Sequence, residues 1–165
     1  MKRLYLIGGA MGVGKTTVCQ ILKKKCPNSV FLDGDWCWDA DPFILTEETK
    51  AMVMDNVCHL LGNFLACTAY ENVIFCWVMH EQSIIEEILS RISVDGVEVH
   101  ILTLICSPET LKARLQQDID NRLRTVDVID RALDRLAATE RLTTQRIDTE
   151  GRTPDEIVCQ ILNVR

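Results

Sequence analysis

The chain has 165 residues, 47% of them hydrophobic and 25% charged, with a net charge of −6. That length suits one domain with a full core, and the acidic balance argues against nucleic acid or an anionic membrane surface as the main partner. No apolar run approaches the roughly 20 residues that would span a bilayer, and the N-terminus enters a strand pattern with no signal-peptide pattern, so a cytoplasmic location is expected.

Leu4-Tyr5-Leu6-Ile7 reads as a buried strand. It runs into Gly9-Ala10-Met11-Gly12-Val13-Gly14-Lys15-Thr16, followed by Thr17 and a helical pattern with Val18, Ile21 and Leu22 on one face. Strand, glycine loop and helix in that order are the context a phosphate-binding P-loop requires. Glycines let consecutive backbone N–H groups turn around a phosphate, and the helix N-terminus adds its positive dipole end. Lys15 is then expected at the β- and γ-phosphates, and the Thr16 hydroxyl at Mg²⁺. The chain is expected to bind a nucleoside triphosphate.

Ser29 to Leu32 is a second short apolar run, ending at Asp33. The loop after it, Asp33 to Phe43, is rich in acidic and aromatic residues, and Thr46 caps a long helix with Val53, Met54, Val57, Cys58, Leu61, Phe64 and Leu65 inward. Val73 to Val78 reads as a strand buried on both faces. Ser83-Ile84-Ile85-Glu86 reads as a capping box, opening a helix with Ile85, Ile88, Leu89 and Ile92 inward. Val97 to Cys106 is a further strand, and Ser107-Pro108-Glu109 starts the helix of Leu111, Leu115 and Ile119. The Arg-rich stretch Asn121 to Arg124 interrupts before a helix with Val126, Ile129, Leu133 and Leu136 inward. Thr144 to Thr149 is a weaker strand pattern, and Thr153-Pro154-Asp155-Glu156 is a capping box opening the last helix.

Strands alternating with helices predict an α/β protein with a parallel sheet covered on both faces, ligands binding at the carboxyl ends of its strands. The eight cysteines stand alone, with no zinc-type spacing, and read mostly as small buried hydrophobes in a reducing compartment. Cys37 lies beside the expected site, where a thiol can be reactive.

Asp33-Gly34-Asp35 places two carboxylates one residue apart. One can steady Mg²⁺ through its water shell while the other accepts a proton from a substrate hydroxyl. Arg114 to Arg124 has the makings of a mobile lid closing over the phosphates. No guanine-reading N-K-x-D is present, and the chain is too short for the extra parts of a motor ATPase.

With Gly9 to Thr16, Asp33-Gly34-Asp35, Ser107-Pro108-Glu109 leading to Arg114, and Arg122/Arg124, the chain resembles the nucleoside-monophosphate-kinase-like P-loop group of small-molecule kinases. That group includes shikimate kinase, gluconate kinase and chloramphenicol phosphotransferase. The resemblance covers the whole chain and implies a five-stranded sheet of order 2-3-1-4-5, a single P-loop kinase domain over residues 1–165, and a lid at about 115–127. It implies ATP as donor, with Arg114 or a lid neighbour against the adenine and the loop Glu150 to Pro154, including Arg152, as its other wall. It also implies Asp33 at the Mg²⁺ shell, Asp35 facing the acceptor, and Arg122 and Arg124 acting on the transferred phosphoryl. The sequence departs from shikimate kinase where Trp77 to Glu81 replaces a glycine-rich turn, and from adenylate kinases in lacking D-G-x-P.

The expected acceptor pocket is lined by Trp36, Trp38, Phe43, Trp77, His80 and Glu81, which suits a sugar face, an aromatic ring or an antibiotic scaffold with hydroxyls. The function expected is therefore phosphoryl transfer from ATP to a hydroxyl of a small molecule, by a monomer or weak dimer. The alternative is a nucleotide-dependent regulator or toxin-like binding protein without such activity.

Overall fold

In the computed structural model, which describes residues 1–163, five parallel strands form one sheet of order β2-β3-β1-β4-β5. The strands are β1 (Lys2–Gly8), β2 (Ser29–Asp33), β3 (Asn72–Cys76), β4 (Val97–Ile105) and β5 (Gln145–Asp148). Six helices connect and follow them: α1 (Lys15–Lys25), α2 (Glu47–Ala66), α3 (Gln82–Arg91), α4 (Pro108–Asp120), α5 (Val128–Ala138) and α6 (Pro154–Leu162). Parallel neighbours cannot be joined by hairpins, so each crossover carries at least one helix over a sheet face.

The central strands explain the uninterrupted apolar runs. Every residue of β3 is buried, and so is β1 from Leu4 onward. Alternate side chains go to opposite faces. Leu4, Leu6, Val73 and Phe75 pack with Val57 and Leu61 of α2 and with Ile85 and Ile88 of α3. Tyr5, Ile7, Ile74, Leu102 and Ile147 pack on the other face with Leu22 of α1 and Val158 of α6. Each fully buried side chain of this size contributes roughly 1.5–3 kcal/mol. A smaller cluster joins Ala10 of the glycine loop to Leu111 and Leu115 of α4 and Ala132 of α5, so the loop is anchored by packing as well as by the sheet.

The helix starts follow local chemistry. Thr46 and Thr49 cap α2 reciprocally, Thr153 and Glu156 do the same for α6, and the Ser107 hydroxyl accepts from Thr110 N at 3.2 Å ahead of Pro108. The expected box at Ser83 is not formed. Helix α3 begins at Gln82, so Ser83 is already its second residue, and Glu81 in the N-cap position makes no side-chain cap; Gln82 Oε1 accepts from Thr143 N.

Two further boundaries differ from the sequence reading. Strand β3 ends at Cys76, so Trp77 and Val78 belong to the rim, although Trp77 N still donates to Ile7 O at 3.3 Å. Val126 is 73% exposed rather than inward, since α5 starts only at Val128. Among the described residues, no helix is long and apolar enough to cross a membrane.

Candidate active site

The carboxyl ends of β1, β2 and β3 converge on one cavity of about 360 Å³. It is lined by Met11, Gly12, Gly14, Lys15, Thr16 and Thr17 from the loop, Asp33 and Asp35 from the end of β2, Val78, and Arg114, Gln117, Asp118 and Arg124 from α4 and the turn after it. A glycine-rich loop, two carboxylates and two guanidiniums therefore face one space.

The loop owes its shape to glycine at close quarters. Gly12 has φ +80°, and a Cβ there would lie 2.6 Å from Leu115 Cδ2, so the loop is seated on α4. Inside the curl, Lys15 Nζ donates to Gly9 O and Ala10 O, both at 2.9 Å. Burial holds its ammonium below the usual lysine range, opposed by Cys76, Asp35 and Asp33 nearby. The carbonyls hold the charge across the space that a phosphate would occupy.

Thr16 opens toward β2. Its hydroxyl donates to Asp33 Oδ2 at 2.7 Å, while Asp33 Oδ1 accepts from Asp35 N at 3.1 Å. Asp33 is buried and both its oxygens are engaged. With its proton given to Asp33, the Thr16 oxygen keeps its lone pairs for a cation. A hydroxyl and a carboxylate are the hard oxygen donors that Mg²⁺ takes alongside phosphate oxygens, so the donor set fits that ion. Among the described residues no cluster of three His, Cys, Asp or Glu is placed to hold a metal by itself. Phosphate oxygens and waters would supply the remaining ligands of such a site.

Asp35 differs from its neighbour. Its carboxyl is held above the usual carboxylate range, first by partial burial and then by the Asp33 charge, with Lys15, the Trp77 indole and Arg124 acting in opposition. That tryptophan lies directly on Gly34, where a Cβ would come within 2.4 Å of Trp77 Cγ. The glycine between the two aspartates is therefore a packing requirement: only hydrogen lets the ring cover the turn that aims Asp35. Gly34→Ala is expected to cost about 1–3 kcal/mol through overpacking. It should lower any Asp35-dependent turnover while ATP affinity stays near wild type. Calorimetry of nucleotide binding beside a melting curve checks this, and an unchanged Tm would contradict it.

Arg114 is more than a cavity wall. Its guanidinium donates to Val13 O at 3.2 Å and to Thr149 Oγ1 at 3.1 Å, tying the glycine loop to the segment after β5. Glu150 accepts from Ser107 N at 3.0 Å and from the Thr110 hydroxyl, which pins the same segment to the start of α4. Pro154 opens α6, and Arg152 donates to Gln160 outside the cavity. Arg124 lines the cavity with its Nε 3.1 Å from Asp118 Oδ2. Arg122 does not line it. It sits at φ +58° in the turn that ends α4, donating its backbone N–H to Ile119 O at 2.8 Å.

The residues expected to line an acceptor pocket are spread along the rim. Trp38 and Phe43 stack with ring centroids 4.2 Å apart, three residues and more beyond Asp35. Trp36 turns away from the cavity, edge-on to Phe31. It lines a separate, shallow groove of about 920 Å³ beside α2 with Asn56, His59, Asn63 and Arg91, which holds no phosphate-binding element.

His80 meets the Arg135 guanidinium through Nε2, and its Nδ1 lies 3.4 Å from Val78 O. Arginine only donates, which assigns the ring proton to Nδ1. Burial and Arg135 hold the imidazole below the usual histidine range. Cys37 is not activated: burial, then Asp33 and Asp35, push its thiol up.

Gln117, Asp118, Val78 and Arg135 escaped the sequence reading. The first two stand three and four residues after Arg114, hence on its helical face, which was a usable signal. Arg135 meets His80 only through the tertiary fold.

A family model described as an AAA domain matches residues 6–132. In fold the chain is similar to the tunicamycin resistance protein of Deinococcus radiodurans, with 20% identity, TM-score 0.75, and 100% of this chain and 98% of that chain covered. It is also similar to a gluconokinase from Sinorhizobium meliloti 1021 (18% identity, TM-score 0.68, 96% and 88% covered). Shikimate kinase from Aquifex aeolicus likewise aligns, with 19% identity, TM-score 0.62, and 97% and 93% covered. No curated protein matches the chain in sequence. Identities of this size speak for a shared fold, and the family model covers most of the chain: it belongs to the AAA domain family, built as a five-stranded P-loop fold of order 2-3-1-4-5.

Proposed function

We propose that the protein is an ATP-dependent phosphotransferase that moves the γ-phosphate to a hydroxyl of a small molecule. The observation that carries the reading is the division of labour within Asp33-Gly34-Asp35. One carboxylate is turned back onto Thr16, and the other is held open to the cavity with a raised proton affinity. A nucleotide switch needs the first; only transfer to an acceptor that must lose a proton needs the second.

The chain's residues act as follows. Backbone N–H groups of the loop from Gly9 to Thr16, with Thr17 beyond, cradle the phosphates, and Lys15 moves its ammonium from Gly9 O and Ala10 O onto the β- and γ-oxygens. Thr16 and Asp33 would hold Mg²⁺, Asp33 through its water shell, and the ion would supply neutralisation of charge on the phosphate oxygens. Asp35 takes the proton from the acceptor hydroxyl as its oxygen bonds to Pγ and the bond from Pγ to the ADP oxygen breaks. Arg124, released from Asp118, and Arg122 stabilise the equatorial oxygens from the lid over residues 115–127. Arg114, Arg152 and Pro154 border the adenine. Trp38, Phe43, Trp77, His80 and Glu81 form the acceptor side, Trp36 lying further out at the edge.

Gluconokinase and shikimate kinase are named for hydroxyl-bearing acceptors, and this supports an alcohol acceptor here without naming it. A coupled ADP-release assay over a metabolite and antibiotic panel tests the proposal. ADP release that depends on one acceptor is the expected result. Nucleotide binding with no acceptor-dependent turnover would instead fit a nucleotide-dependent regulator and overturn it.

The lid makes a prediction of its own. Arg122, Leu123 and Arg124 lie in an exposed turn, so a protease that cuts after arginine should cleave there, and a non-hydrolysable ATP analogue with Mg²⁺ should slow that cut about tenfold by ordering the turn. Equal cleavage with and without the analogue would contradict a closing lid.

A further inference from the structure

Exposed apolar side chains are concentrated on two segments that adjoin the cavity-lining residues Asp35 and Arg124 along the chain. Of nine large exposed hydrophobic residues among those described, Phe43, Ile44, Leu45 and Met52 lie on the segment that follows Asp35, and Leu123 and Val126 flank Arg124. Phe43 is 61%, Ile44 55% and Leu45 62% exposed, three in succession where a monomer gains nothing by it. The Phe43 ring is fixed to Trp38, whose N–H donates to Asp35 O at 3.4 Å, so this shelf is continuous with the carboxylate turn. Leu123 and Val126 stand beside Arg124, which lines the same cavity as Asp35. Between Asp35 and Met52 the chain has five carboxylates and one lysine, Lys50, which is paired with Glu47 at 2.8 Å.

We propose that the acceptor is an amphiphile without net negative charge, its hydroxyl at Asp35 and its apolar group on the shelf of Phe43, Ile44 and Leu45. This rests on the phosphotransferase reading and deepens it. An apolar group on the shelf removes hydrocarbon from water on both partners. The carboxylates Asp39, Asp41, Glu47 and Glu48 along the same segment repel an anionic acceptor and tolerate a neutral or cationic one. Leu123 and Val126 would cover the same group when the lid closes. The acceptor class is thereby separated from sugar acids, which offer hydroxyls but carry a carboxylate and no hydrocarbon.

Three probes with related sugar rings test the assignment: octyl β-glucoside, methyl β-glucoside and octyl β-glucuronide. Each is titrated below its micelle concentration against the protein with ADP and Mg²⁺ present, by calorimetry. The octyl glucoside should bind about tenfold or more tightly than either of the others. Leu45→Ser and Ile44→Ser should each erase that preference while ADP binds as in wild type. Equal binding of the methyl and octyl glucosides, or of the octyl glucuronide and octyl glucoside, would overturn the proposal. So would self-association in sedimentation that Leu45→Ser abolishes, since the shelf would then belong to a second copy. The readout is binding, so its failure leaves acceptor-dependent ADP release untouched, and failure of ADP release leaves the probe preference measurable.

Discussion

Lys15→Ala should lower phosphoryl transfer by about 10³-fold or more while the fold survives. In the structure the ammonium is the cation inside the loop, bridging Gly9 O and Ala10 O at 2.9 Å. As the bond to the leaving oxygen stretches, charge gathers on the β–γ bridge and the γ-oxygens, and alanine leaves it facing backbone N–H groups alone. Stability should move the other way. Burial depresses the lysine's proton affinity in the folded state, so its contribution is present at high pH and lost as pH falls through the folded value. At neutral pH the half-buried charge is a cost, which alanine removes. A variant with near wild-type turnover would remove the loop from the mechanism. A variant that failed to fold would show that the Lys15 bonds hold the loop together.

Asp35→Asn should reduce kcat by roughly 10²–10⁴-fold and leave ATP affinity nearly unchanged. Asparagine keeps the shape but cannot accept the acceptor's proton. The raised proton affinity of Asp35, caused by partial burial and then Asp33, moves the acid limb of the pH–rate profile above the ordinary aspartate value of about 3.9. It also fixes the sign of the stability effect. A carboxyl with a raised folded pKa contributes fully below its unfolded value, and that contribution is lost as pH rises through the folded one. The ionised form is therefore strained at neutral pH, and Asp35→Asn should raise Tm there while removing activity. Asp33→Asn should behave differently, raising the Mg²⁺ concentration needed for activity, because Asp33 is tied to Thr16 rather than open to the cavity. If Asp35→Asn kept its kcat with the true acceptor, the base would lie elsewhere, with Glu81 the next residue to test.

Much of this was legible in the chain itself, for reasons that are physical. The residues of β3 are buried on both faces, and such strands must be written as continuous apolar runs. The phosphate loop was legible because glycine is imposed at fixed spacing by backbone curvature. The caps at Thr46, Ser107 and Thr153 are bonds between residues three apart, and so are written locally. What escaped was written at long range. Arg114 finds Val13 across 101 positions, and Arg135 finds His80 across 55. Trp77 read as strand, but it lies past the end of β3 with its ring over Gly34, a demand that neither segment reveals alone. Ser83 is not a cap because the helix starts one residue before it, at Gln82. Trp36, grouped with the other tryptophans by sequence, went to Phe31 because the turn at Gly34–Cys37 rotates successive side chains in different directions.

The most direct test is product mass analysis. A metabolite and amphiphile mixture is incubated with MgATP and either the wild-type protein or Asp35→Asn, and both reactions are read by mass spectrometry. The account predicts one hydroxyl compound gaining a single phosphate in step with ADP, with that product falling at least about a hundredfold in the variant. ATP consumption that yields only inorganic phosphate, or a phosphorylated product formed equally by both proteins, would contradict it.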